Sequence, residues 1–311
     1  MHPRRETDNW RPMAENEPIS EADERPVSFL ADLWSLGKPR LSSLVIFTAG
    51  GGMFLAGASP SLHTVLAGMF GTTLVVCSAN SLNNYIERES DKLMARTRVR
   101  PLPAGRMEPW IALVYGIVLM AIALPWMFIA TTPLATALAL IAWVIYVFVY
   151  TPLKRISWLS VVAGGVAGAM PPLIGWTAAR GTVDSGGLAL FSILFLWQLP
   201  HTFAIGIYRK NEYAAAGMKV LPIEQNDAIT RQHIMTWTTG LVASSLWIVY
   251  LGLGGILTLC GSIALGGIFM WKAWKGLRVE GGPIWARDLF LFSLVYLSGM
   301  FVLMVLDHAL A

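Results

Sequence analysis

Nine stretches of the chain contain no Asp, Glu, Lys or Arg: residues 42–58, 62–82, 110–130, 133–151, 158–177, 187–207, 233–252, 255–271 and 289–306. Each lies near the ~20 residues that an α-helix needs to cross a ~30 Å hydrocarbon core, with latitude for tilt. They predict an all-α polytopic membrane protein, a bundle of about nine transmembrane helices spanning residues 31–311. A hydrophobic content of 55% and a mean hydropathy of +0.57 across 311 residues agree with that class. The first and eighth stretches are the least secure, being short or rich in glycine, and their small residues are expected to serve close helix packing.

Basic residues set the expected orientation. The chain has 23 Lys and Arg, and all except Arg180 fall in the N-terminal segment or in the second, fourth, sixth and eighth loops. The positive-inside rule then puts the N-terminus and those loops in the cytoplasm and the C-terminus outside. Residues 1–30 are polar, with seven acidic side chains against four arginines, and are expected to be a disordered cytoplasmic segment. No presequence pattern is visible there, which favours a bacterial inner (plasma) membrane. Cys77 and Cys260 form no ligand spacing and are expected only to pack, and His63 is read as structural.

Charge is concentrated in NNYIERESDKLMARTRVRPLPAGR, residues 83–106, which holds three acidic and six basic residues in a chain only 14% charged. On a helical extension of the second stretch, Asn83, Glu87 and Asp91 recur at i, i+4 and i+8 and share one face. Asn84 lies beside that face and Glu89 points away. Arg96, Arg98 and Arg100 follow at once. A solvated positive-inside loop would account for the charge alone. Two carboxylates, an amide oxygen and guanidinium forks would equally suit Mg²⁺ shared with a substrate phosphate.

A second loop predicted on the same side, YRKNEYAAAGMKVLP at 208–222, repeats the combination with Arg209, Lys210, Asn211 and Glu212. Two loops opening on one face could bind a diphosphate through metal ions.

These residues resemble the UbiA superfamily of intramembrane prenyltransferases: the 83–106 segment looks like its first Asp-rich motif, and YTPLKR at 150–155 like another shared stretch. GAMPPLIGW at 168–176, WQLPHTFAIGIY at 197–208, EYAAAGMKVLP at 212–222 and LGKPRLSSLVIFTAGGGMFLAG at 36–57, near the first stretch, resemble the branch that farnesylates haem. The resemblance runs from about residue 36 to 230, with the motifs in order.

By position, the resemblance implies that Asn83, Glu87 and Asp91 form the first metal–diphosphate site, with Glu212 in the second. Arg96, Arg100, Lys154 and Arg155 would grip the diphosphate, with Asn84, Arg209 and Lys210 beside them. Glu87 and Glu212 stand where the family usually has Asp, and the added methylene moves each carboxylate by ~1.5 Å.

The implied reaction joins farnesyl diphosphate to haem B, with Mg²⁺ as cofactor and catalysis resting on Asp91, Glu87, Arg96 and Arg100. Tyr85, Tyr146, Tyr150 and Trp197 are candidates to shield an allylic cation. His201 is a polar residue inside a predicted span, and its WQLPH context implies a haem contact. A Pro171-Pro172 break in the fifth span is expected to help open a slot for a flat acceptor.

The implied surroundings are the lipid bilayer and, around haem, haem A synthase or oxidase assembly factors, with no nucleic acid. Two alternatives stand: a sibling prenyltransferase acting on an aromatic acid or quinone precursor, and a transporter. The second is weakened because every Asp, Glu, Lys and Arg lies outside the uncharged stretches.

Overall fold

The computed structural model describes residues 28–278 and 282–310. Residues 1–27, most of the segment expected to be disordered, lie outside the described residues. Among those described, every regular element is helical. A short helix α1 (Phe29–Leu36) precedes α2 (Pro39–Leu55), α3 (Leu62–Asp91) and α4 (Pro109–Ala130). Next come α5 (Pro133–Leu153), α6 (Ser160–Arg180) and α7 (Ser185–Tyr208). Two short helices, α8 (Lys210–Ala215) and α9 (Leu221–Glu224), lead into α10 (Asp227–Tyr250), α11 (Ile256–Arg278) and α12 (Pro283–Leu310).

Seven of these helices are long and apolar enough to cross a membrane. The expected nine are therefore not all reached by length and composition. The apolar part of α2 is only Leu41–Leu55. Helix α10 has the length, but it opens with Asp227, Arg231, Gln232 and His233 and carries Ser and Thr along its course. The eighth stretch, for all its glycine, qualifies as Ile256–Arg278.

The core is built on α6, which is 72% buried over its apolar window and packs against α2, α5 and α7. Close approach to α2 needs glycine. A Cβ on Gly52 would lie 2.1 Å from the Pro172 carbonyl oxygen, and one on Gly175 would lie 2.0 Å from that of Ala49. The expected break at Pro171-Pro172 does not occur, since α6 runs unbroken from Ser160 to Arg180 through both prolines. Each proline removes one N–H from the helical ladder, and inside a packed bundle neighbouring helices hold the chain in place.

One irregularity matters for the site. Residues Ile145–Tyr150 of α5 form a π-helical turn. Pro152 cannot donate to the ladder, and the preceding Thr151 N–H reaches back five residues to the Tyr146 carbonyl. Tyr146, Tyr150 and Lys154 then line one cavity together.

Candidate functional site

The helical phase expected for the first motif is observed. Helix α3 continues to Asp91, and Asn83, Glu87 and Asp91 are buried on one face, with 1%, 6% and 1% exposure. Glu89 points to solvent and pairs with Lys92 at 2.8 Å. The three buried side chains border a cavity of about 260 Å³, walled also by Lys38, Arg96, Arg100, Tyr146, Tyr150 and Lys154.

Each candidate ligand is held by a different cation. Lys154 Nζ donates to Glu87 Oε1 at 2.7 Å, Arg100 donates to Asp91 Oδ2 at 2.7 Å, and Lys38 Nζ donates to Asn83 Oδ1 at 2.7 Å. Charges so deep in a bundle persist only when paired. The pairing concentrates both signs around one cavity.

The two charged loops converge as expected. Arg96 of the first lies 3.8 Å from Glu212 of the second, while Arg209 donates to the other oxygen of Glu212 at 2.6 Å. Tyr213 and Met218 from the second loop reach the cavity wall beside Met94 from the first. The Lys219 N–H donates to the Lys154 carbonyl at 2.8 Å, tying in the YTPLKR segment.

Some expected diphosphate contacts lie elsewhere. Arg155 is solvent-exposed, as is Arg98, and Lys210 is engaged with Asp227 at 2.8 Å. Arg209 serves Glu212 and lies off the cavity wall. Asn84 holds a backbone: its amide donates to the Leu36 carbonyl at 3.1 Å, as Asn80 donates to that of Gly37 at 3.2 Å. Arg106 bonds both oxygens of buried Asp32 at 2.9 and 3.1 Å, fixing α1 over the same corner.

These bonds seat a residue that lies inside the family-like LGKPRLSS segment but to which no role is expected from the sequence. Lys38, in the turn before α2, adopts a left-handed backbone (φ 50°), a costly conformation for a residue with a Cβ. Burial of its ammonium, reinforced by Arg100 and Lys154 nearby, pushes its pKa down to about 7. Its signal in the sequence is a lone lysine in LGKPR, next to the proline that starts a span.

The donor set fits a divalent metal brought in with a polyanion. Among the described residues no three His, Cys, Asp or Glu side chains gather closely enough to hold a metal alone. The amide oxygen of Asn83 and substrate phosphate would have to complete the shell, as suits an ion that shares its ligands with phosphates. Glu212 Oε2 is buried without a hydrogen-bond partner, 3.8 Å from Arg96 Nε, and like Arg209 the residue lies off the cavity wall.

Among the other candidates, Tyr146 and Tyr150 face the cavity, with ring centroids 5.1 Å apart and Lys154 Nζ 4.3 Å from the Tyr150 centroid. Tyr85 instead packs near Leu36 and Leu102. Trp197 and His201 stack on one another at 4.5 Å in α7, and Thr202, the next residue, lines the cavity.

The UbiA prenyltransferase family profile matches residues 44–295. Similar proteins include the protoheme IX farnesyltransferase of Myxococcus xanthus (strain DK1622), 45% identical over 278 residues, which are 89% of this chain and 95% of the relative. The enzyme of that name from Anaeromyxobacter sp. (strain Fw109-5) is 44% identical over 92% of this chain and 97% of its own. In fold, the chain resembles the solved digeranylgeranylglyceryl phosphate synthase with a TM-score of 0.77 at 16% identity, over 91% of this chain and 99% of that one. A UbiA homologue from Archaeoglobus fulgidus bound to GPP and Mg²⁺ superposes with a TM-score of 0.64 at 17% identity, over 88% and 99% of the two chains. The chain is a multi-pass membrane protein that belongs to the UbiA prenyltransferase family and, within it, to the protoheme IX farnesyltransferases.

Proposed function

We propose that the protein transfers the farnesyl group of farnesyl diphosphate to a vinyl group of haem B, giving haem O and diphosphate, with Mg²⁺ as the metal. The observation that carries this reading is the 45% identity to a protoheme IX farnesyltransferase across 89% of the chain. Asn83, Glu87, Asp91 and Glu212 would hold the metal. Bound there, it would neutralise charge on the diphosphate as the allylic C–O bond breaks.

Lys154, Arg100 and Arg96 would exchange their carboxylate partners for diphosphate oxygens, the guanidinium groups by paired bonds. Tyr146 and Tyr150 would face the farnesyl cation. The haem vinyl group attacks that cation and forms a C–C bond. The resulting cation beside the porphyrin ring takes up water and loses a proton, which completes the hydroxyethylfarnesyl substituent. Leu41, Met94, Val161 and Met218 on the cavity wall would keep water from the first cation. No covalent enzyme intermediate is required.

Membranes containing the protein, supplied with farnesyl diphosphate, Mg²⁺, haem B and 4-hydroxybenzoate together, are expected to yield haem O alone by product mass. A prenylated aromatic acid with unmodified haem would reverse the acceptor assignment and leave the diphosphate site standing.

The 22 basic residues on one side also favour a cytoplasmic site in a bacterial inner membrane. Reporter fusions after residues 106, 155 and 222 are expected to score cytoplasmic, and fusions after 182 and 311 periplasmic. A cytoplasmic signal at 182 would contradict this orientation.

A further inference from the structure

Ser293 of α12 is fully buried against α7 and bonds to three residues at once. Its carbonyl oxygen accepts from Trp197 Nε1 at 2.6 Å. Its hydroxyl donates to the Phe290 carbonyl at 2.6 Å and lies 2.6 Å from His201 Nδ1. The His201 ring rests on Trp197 at 4.5 Å and 28°, with Phe290 4.8 Å away. Ring position is thus fixed by two aromatics, and ring orientation by one hydroxyl.

A hydroxyl has a single proton. The Phe290 carbonyl can only accept, and when it takes that proton Ser293 Oγ presents only lone pairs to His201, a pairing that puts the N–H on Nδ1 and leaves Nε2 bare. Among the described residues Nε2 has no hydrogen-bond partner. An imidazole inside a membrane helix with one nitrogen tied and the other open is arranged as a ligand donor. The open nitrogen lies seven residues, or ~10 Å, from the Tyr208 end of α7, and Thr202 beside it lines the charged cavity.

We propose that Ser293 is a positioning residue that locks His201 in the Nδ1–H tautomer and so offers Nε2 to the iron of the acceptor haem. The proposal rests on the haem reading given above. A partner on the far nitrogen fixes both tautomer and ring plane of a metal-binding histidine. A neutral hydroxyl raises imidazole basicity less than a carboxylate would, which suits an iron that arrives with the substrate and leaves with the product.

The test has two arms. In bilayers without haem, ¹⁵N-histidine resonances distinguish a bare nitrogen from an N–H, and His201 is assigned by its loss in His201→Gln. The expected result is a single Nδ1–H form in the wild type, mixed tautomers in Ser293→Ala and recovery in Ser293→Thr. An Nε2–H form in the wild type overturns the proposal.

The second arm titrates haem B by absorbance without farnesyl diphosphate. Ser293→Ala is expected to weaken binding about tenfold and to lose the imidazole-ligated spectrum. An unchanged affinity and spectrum in Ser293→Ala overturns the proposal while leaving the haem reading intact. A wild-type protein that binds no haem overturns the haem reading, and with it the iron-facing role.

Discussion

Asp91→Asn is expected to lower prenyl transfer about 10³-fold, or about 4 kcal/mol of transition-state stabilisation, while leaving the protein folded and inserted. Asp91 is 1% exposed and makes one charged contact, to Arg100 at 2.7 Å. Asparagine has the same shape and keeps an oxygen for Arg100, and Thr97 bonds the Asp91 backbone carbonyl, which the substitution does not touch. The missing negative charge is therefore felt chiefly when a metal and a diphosphate occupy the cavity. Turnover of farnesyl diphosphate at saturating Mg²⁺, with elution of the solubilised protein as the folding control, separates the two effects. Near-normal turnover would remove Asp91 from the site.

Helical phase makes Asn83, Glu87 and Asp91 legible in the sequence, because three polar residues spaced by four have only one common face to share. Convergence of the two loops is legible too, since an even number of crossings returns the chain to the same side. Lys38 is hidden. Its position depends on a left-handed turn held by Asn80 and Asn84, and a local pattern does not encode which distant carbonyl an asparagine will bond. For the same reason the motif places Asn84 at the diphosphate, although its amide holds the end of α1. The Pro171-Pro172 break follows from local rules, but packing of α2 across Gly52 and Gly175 overrides them. Ser293 lies 92 residues from His201, in a span that carries no motif, so its role emerges only when α7 and α12 meet.

Lys154→Met is expected to damage both folding and catalysis, and a second substitution divides the two. Lys154 neutralises Glu87, whose side chain is 8% exposed, across 2.7 Å. Removing the lysine strands a buried carboxylate, at a cost of about 3 kcal/mol in stability. It also removes a cation that would meet the diphosphate, for a further loss in turnover of about 10²-fold or more. Adding Glu87→Gln removes the stranded charge, so the double variant should regain most of the lost thermal stability. Its activity should stay as low as that of Lys154→Met, because neither the cation nor the candidate metal ligand is restored. Stability is read from the melting temperature in detergent, and activity from haem O formed at saturating farnesyl diphosphate. If activity recovers together with stability, the Lys154–Glu87 pair is only a structural ion pair, and the cavity must bind diphosphate through the arginines alone.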